Sequence, residues 1–245
     1  LTESEFLQVP FRTSPARIFR QAGYDTHFVY GGNPGWRDLN KFVQYQGFQF
    51  LDGEIEIERK IGGLRERHDW GIYDEDVFKF VELTLKEAQR PQMLVVLTIT
   101  NHPPYQHPSS FHPPSQKIPE MLKARIVGDP EIVEKRFKVY LYSAEKLAQF
   151  LDSIKTSAIG EKTLVAVTGD HNFWLVNFEE EEQLAKWGVP IYFYIPKKIR
   201  PAFDSTFDSK IFCSHMDIFP TLYNLSLSEF PYRGFGSNVF DSSQE

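Results

Sequence analysis

The sequence predicts an α/β fold, a mainly parallel sheet with helices on both faces. Three observations lead there. Residues 93–97 form the longest uninterrupted apolar run, Met-Leu-Val-Val-Leu, whose lack of alternation marks a strand buried on both faces. Residues 164–168 form a second short run, β-branched at Val165, Val167 and Thr168. Segments of helical period separate these strands, as βαβ units require.

The elements follow in order. Ser14-Pro15 supplies an N-cap and an N1 proline for a helix that Gly23 stops. Residues 27–30 read as a strand ending in Gly31-Gly32. Residues 36–46 read as a helix with Leu39, Phe42 and Val43 on one face and Gly47 closing it. Gly62-Gly63 and the charged residues 65–69 mark a loop. From Asp74 an amphipathic helix carries Val77, Phe78, Val81, Leu85 and Ala88, and the strand at 93–100 follows. A proline-rich loop at 103–119 precedes the longest helix, opened by Pro130 and reaching Ile154. The strand at 163–168, an acidic excursion, a strand at 189–195 and a helix at 214–225 complete the chain. The four acids at 179–182 read as a solvated helix face.

Composition narrows the function. The 245 residues suffice for one sizeable core. A net charge of −6 argues against a nucleic-acid partner, whose phosphates need a basic footprint. No Lys/Arg cluster suggests a polybasic membrane anchor, and no apolar run approaches a membrane span. Cys213 is the only cysteine, which excludes an intrachain disulfide and reads as a small buried residue. With Leu1 first and no leader pattern, the chain is expected to be part of something longer.

Three strand ends carry chemistry. Gly169 ends the strand at 163–168, and Asp170-His171 follows on the sheet's carboxyl edge, where open α/β sheets bind ligands. One carboxylate beside one imidazole suits a divalent cation; an Asp capping a turn beside a solvent-facing His is the plainer reading. Asn101-His102-Pro-Pro-Tyr105 follows the strand at 93–100, its prolines stiffening the backbone behind His102. After the 27–30 strand, Tyr30-Gly-Gly-Asn-Pro-Gly-Trp36-Arg37-Asp38 leads into a helix. Its glycines admit a ligand to the backbone, and Arg37 can fork two oxygens of a phosphate or sulfate. Three such ends on one edge predict a shared crevice. His68, His107 and His112 lie in loops that the pattern does not place.

Taken together, these motifs resemble the alkaline-phosphatase/sulfatase superfamily. Within it, the chain is similar to the lipoteichoic-acid-synthase-like phosphoglycerol transferases and related membrane sulfatase-like proteins. The resemblance runs in order through Gly23-Tyr-Asp-Thr26, Tyr30-Gly-Gly, Trp36-Arg37, Trp70-Gly-Ile-Tyr-Asp-Glu75, Thr98-Ile-Thr-Asn-His102, Thr168-Gly-Asp-His-Asn172 and Ser214-His-Met-Asp-Ile-Phe-Pro-Thr-Leu222. Trp70 to Glu75 is similar to a family turn that caps a helix. The resemblance implies an alkaline-phosphatase-like fold, incomplete here, with residues 1–245 as the carboxyl-terminal portion of a catalytic domain. It implies Asp170 and His171 as ligands of a divalent metal (Mn, Mg or Zn), and His102, Arg37 and Trp36 as contacts to the substrate. His215 is open to two readings, a contact to that pocket or a residue packing at a helix start.

The family's hydroxyl or formylglycine nucleophile and a further acidic ligand lie upstream of the Gly-Tyr-Asp-Thr segment. Here Thr2, Thr13 and Ser14 lack a suitable strand-to-helix context, and Cys213-Ser-His does not match the formylglycine pattern. The nucleophile is therefore expected outside this chain, which alone would be inactive; Thr98, Thr100 and Thr168 are the candidates if it is not. For the parent protein, the resemblance implies a phosphate- or sulfate-ester substrate on a lipid headgroup or glycan. It also implies a membrane anchor, with this domain soluble on the extracytoplasmic side. An exposed sheet edge is expected, covered by self-association. Two alternatives stand beside this: a non-catalytic domain binding an anionic headgroup or partner, and an unrelated α/β metallohydrolase.

Overall fold

In the computed structural model, residues 2–115, 118–172, 175–200 and 211–241 are described. The central strand β1 (Asp25–Tyr30) lies between β2 (Phe50–Asp52) and β3 (Gln92–Leu97) in a parallel three-stranded sheet. β1 pairs with β3 along its whole length, from Asp25 opposite Gln92 to Tyr30 opposite Leu97. Alternation along each strand then sorts the side chains between two faces. Val29, Leu94 and Val96 pack against Ile57 of α3 (Glu54–Ile61), Val77 and Phe80 of α4 (Asp74–Glu87), and Ile154 of α6 (Pro130–Thr156). Met93 and Val95 pack against Ile18 and Phe19 of α1 (Pro15–Gln21) and Tyr223 of α8 (His215–Ser226). Tyr30 and Phe28 meet Leu39 and Val43 of α2 (Leu39–Gln46). Helices thus cover both faces, as the apolar runs require.

β4 (Val165–Thr168) and β5 (Ile191–Tyr194) form a second, two-stranded sheet, with Val165 opposite Tyr194 and Thr168 opposite Ile191. This pair is antiparallel. Among the described residues, the connection between them holds a 3-10 turn at Glu180–Glu182 and the five-residue α7 (Gln183–Trp187). Tyr194 joins the core around Val29 and Phe150 and donates to the Gly160 carbonyl at 3.1 Å.

Local chemistry sets several boundaries. α6 begins as its sequence dictates: Asp129 accepts the Glu131 N–H at 2.9 Å, and Pro130 occupies the first helical position. α8 opens with a capping box in which Ser214 accepts from Met216 N–H and Asp217 accepts from Ser214 N–H at 2.7 Å. Ser14, by contrast, makes no cap bond; its hydroxyl donates to the Gln46 carbonyl at 2.7 Å and ties α1 to α2. The helix expected from Trp36 breaks at once. Arg37 and Asp38 have φ of 49° and 57°, so a 3-10 turn over Trp36–Asp38 precedes α2. β3 is less buried than its apolar run implies: Leu97 is 39% exposed, because β3 is an edge of its sheet among the described residues. β2, α3 and the four-residue α5 (Glu120–Lys123) add to the expected elements.

A backbone contact fastens the loop after α3 to the end of β1. Ile72 N–H donates to the Gly31 carbonyl at 2.7 Å, and Gly71 bridges both Gly32 and His68. Gly71 has φ of 140°, and a Cβ there would lie 2.1 Å from the Gly31 oxygen. Only glycine fits. Gly71→Ala is expected to cost ~3 kcal/mol or more. Gly62→Ala, also at positive φ but with open space around it, should cost nearer ~1 kcal/mol. Urea denaturation of the two variants measures the difference; equal losses would mean that the loop gives way without strain.

Candidate functional site

Residues at three strand ends gather into two clusters. In the first, the docked loop presents Trp70 between the ends of β1 and β3. Its ring lies 4.0 Å from that of His102 and 5.9 Å from that of Trp36, whose face the Arg37 guanidinium covers at 4.9 Å. The structure thus joins Trp36, Arg37 and His102 in one exposed patch through a residue absent from the predicted site. Arg37 has no carboxylate within ion-pair distance among the described residues, which leaves its charge for an anion. Its left-handed backbone costs on the order of 1–3 kcal/mol, strain of the kind that collects at functional sites. His102 Nδ1 lies 3.3 Å from the Pro103 carbonyl. A carbonyl only accepts, so Nδ1 carries a proton and Nε2 is the atom left for a ligand.

Beneath this patch lies His68, which the sequence left as an unplaced loop residue. It is 3% exposed, and Nδ1 accepts the Trp70 N–H at 3.0 Å. Burial holds its pKa below the usual imidazole value; the His102 charge adds to the shift, while Asp69 and a hydrogen bond to the His102 backbone oppose it. Asp74, the first residue of α4, is 2% exposed and turns its carboxylate inward to Thr100. Thr100 donates to Asp74 Oδ1 from Oγ1 at 2.5 Å and from its N–H at 3.2 Å, and Thr100 Oγ1 accepts the Asp74 N–H at 3.1 Å. Burial pushes the Asp74 carboxyl above the ordinary range, against the pull of these hydrogen bonds. The turn at Trp70 to Glu75 therefore caps α4 with a threonine from the β3 end. The same bonds satisfy the Thr100 hydroxyl locally.

The second cluster sits at the end of β4. Asp170 Oδ1 accepts the His171 N–H at 3.0 Å, while Oδ2 lies 3.7 Å from His171 Nε2. His171 Nδ1 is 3.0 Å from the Asn172 carbonyl, so it carries the proton and Nε2 keeps its lone pair, the tautomer a metal ligand needs. Two ligands of one tetrahedral cation stand roughly 3.3–3.5 Å apart. The Asp170–His171 pair fits this donor chemistry with a small rotation. Both side chains are open to solvent, and among the described residues no group of three His, Cys, Asp or Glu is gathered around a metal position. His215 belongs to this cluster: its Nε2 donates to the Gly169 carbonyl at 2.8 Å and lies 3.4 Å from Thr168 Oγ1. From the first position of α8 it holds the turn that presents Asp170. Thr168 Oγ1 donates to the Gly169 carbonyl at 3.1 Å.

Cys213 is exposed rather than buried. It directly precedes the capped start of α8. The acids at 179–182 are mostly solvated as expected, except that Glu182 pairs with Arg125.

A model of the sulfatase family matches residues 11–226. The chain belongs to the sulfatase family. Phosphoglycerol transferase I of Escherichia coli (strain 55989 / EAEC) is 30% identical over 159 residues, which are 63% of this chain and 19% of that protein. The chain thus spans a small part of the curated relatives it matches. Among solved structures, the lipoteichoic acid synthase LtaP from Listeria monocytogenes superposes with a TM-score of 0.68 at 16% identity, over 98% of this chain and 60% of LtaP. The C-terminal periplasmic domain of EcEptC from Escherichia coli, in complex with Zn, gives 0.65 at 14% identity, over 100% of this chain and 73% of that one. These likenesses show the alkaline-phosphatase-like fold, in agreement with the resemblance read from the motifs.

The buried His68 makes stability depend on pH. Its folded pKa lies below the ordinary value of 6.5, so below that pH the unfolded chain takes up a proton that the folded one resists. Stability therefore falls as the pH drops through this window. The wild-type thermal midpoint is expected to fall further between pH 7 and pH 5 than that of His68→Gln, which has no such proton to refuse. Parallel curves for the two proteins would show that His68 is protonated without cost.

Proposed function

We propose that this chain is part of a metal-dependent sulfatase-family enzyme that hydrolyses or transfers phosphate- or sulfate-ester groups, with phosphoglycerol the favoured group. The observation that carries this reading is the Asp170–His171 pair, with its metal-ready tautomer, at a strand end inside a family match to residues 11–226. Asp170 and His171 supply half of a metal shell; the remaining ligands and a hydroxyl nucleophile come from residues outside this chain. A divalent cation held there, Zn, Mn or Mg, would polarise the ester and acidify the attacking hydroxyl. The Zn in the EcEptC domain supports zinc as one candidate.

The chain's own residues handle the charge of the transferring group. Arg37 forks two non-bridging oxygens, and His102 meets a third through Nε2, where charge is stabilised as the ester breaks. Trp36 and Trp70 wall the patch with apolar surface that suits the carbon skeleton of a glycerol or sugar headgroup. The phosphoglycerol transferases among its relatives support that choice of substrate. Among the described residues no helix is long and apolar enough to cross a membrane. The periplasmic placement of the EcEptC domain supports an extracytoplasmic position beside a membrane-anchored portion. The β2 and β3 edges are the surfaces over which the rest of the protein, or a second copy, would pack.

A second reading is an anion-binding domain without catalysis. The absence of a third gathered metal donor among the described residues favours it. Assays of the full-length protein on aryl phosphodiesters, phosphomonoesters and sulfate esters, with Mn, Mg or Zn, separate the two. Turnover of one class is expected. Asp170→Ala or His171→Ala should lower it by more than the roughly 10–100-fold that losing an outer-shell partner costs. Arg37→Ala and His102→Ala should each cost about 10²-fold. Full activity in Asp170→Ala would sink the metal assignment, and phosphate binding without turnover under any metal would favour the second reading.

A further inference from the structure

We propose that Asp74 is a positioning residue for His102, setting the imidazole against Trp70 by pinning the turn that follows β3. This rests on the reading of His102 as an anion contact. Asp74 is a buried carboxylate with no ion pair among the described residues. The neutral Ser143 hydroxyl beside it favours the charged form but supplies no counter-charge. An arrangement this costly is retained where it fixes a geometry.

The geometry it fixes is that of residues 99–102. Asp74 and Thr100 exchange three hydrogen bonds, which hold the backbone at Thr100 and the start of α4 together. One turn of chain then carries this to His102, whose N–H donates to the Ile99 carbonyl at 2.9 Å. Ile99 itself is 6% exposed and packed with Tyr30, Leu39 and Val43. His102 therefore leaves a base fixed on one side by the core and on the other by Asp74. The loop that supplies Asp74 also supplies Trp70, four residues earlier, and Gly71 locks that loop to β1. Both halves of the His102–Trp70 contact thus depend on one segment. Without the carboxylate, the Thr100 hydroxyl and N–H lose their acceptor, and the turn keeps only the Ile99 packing and the His102-to-Ile99 hydrogen bond.

The test is the imidazole NMR signal of His102, shifted by the ring current of Trp70. Asp74→Ala and Thr100→Val should each move that signal toward the value of a free histidine. Asp74→Asn and Thr100→Ser, which keep a hydrogen-bonding atom in place, should restore most of the shift. Thr84→Ala, in α4 but bonded only to Phe80, should lower the melting point and leave the signal unmoved. Inorganic phosphate, titrated on the same signal, should bind Asp74→Ala about tenfold more weakly than wild type, the equivalent of one lost hydrogen bond. A wild-type His102 shift in folded Asp74→Ala overturns the proposal. If Asp74→Ala does not fold, a wild-type shift in Thr100→Val overturns it equally. Failure of the wild type to bind phosphate would remove the anion reading of His102, while the ring-shift comparison would still decide the role of Asp74.

Discussion

The arrangement at the ends of β1 and β3 depends on one close backbone contact, that of Gly71 against Gly31 and Gly32. β1 ends at Tyr30, and the chain would there be free to enter solvent. Instead the Gly31 carbonyl accepts from Ile72 at 2.7 Å, and the loop lies flat across the strand end with no room for a Cβ. From that one docking follow the position of Trp70 between Trp36 and His102, the burial of His68 beneath it, and the delivery of Asp74 to Thr100. Strand pairing places β1 and β3 side by side; the glycine contact turns two neighbouring strand ends into one surface.

Much of this was legible in the sequence where the physical signal was local. Strands at Phe28, Val95, Val165 and Tyr192 showed as short apolar runs, and α6 announced itself through Asp129-Pro130 and its apolar stripe. Other features needed information from elsewhere in the chain. β2 holds three residues, too few for any periodicity to appear. In α3 the alternation Glu54-Ile-Glu-Ile mimics a strand, and only the burial of Ile57 and Ile61, four apart, makes it a helix. The antiparallel direction of β5 left no mark in its own short run, and the break at Arg37 comes from a backbone conformation no propensity assigns to arginine.

The site shows the same division. Asp170, His171, His102 and Arg37 were singled out because chemistry-bearing types directly followed strands. Trp70 and His68 were not, since their importance comes from a loop folding back onto residues about forty positions earlier. Family resemblance carried the Trp70-to-Glu75 segment only as a helix-capping turn. The structure gives the cap to Thr100 and frees the Asp74 carboxylate to bind the β3 end. His215 likewise serves the second cluster, holding the Gly169 carbonyl at 2.8 Å.

The central claim is that the two clusters, one built on Trp70 and the other on Asp170, serve a single anionic ester. Paramagnetic broadening by Mn tests it most directly, because it reads distance from a metal even when binding is weak. Mn added to the chain should broaden the NMR signals of Gly169 and His215, and with them the His102 imidazole and the Trp70 indole. All of this broadening should vanish in Asp170→Ala. Broadening confined to Gly169 and His215, with His102 and Trp70 left sharp, would contradict the account, for the two strand ends would then not face a common substrate.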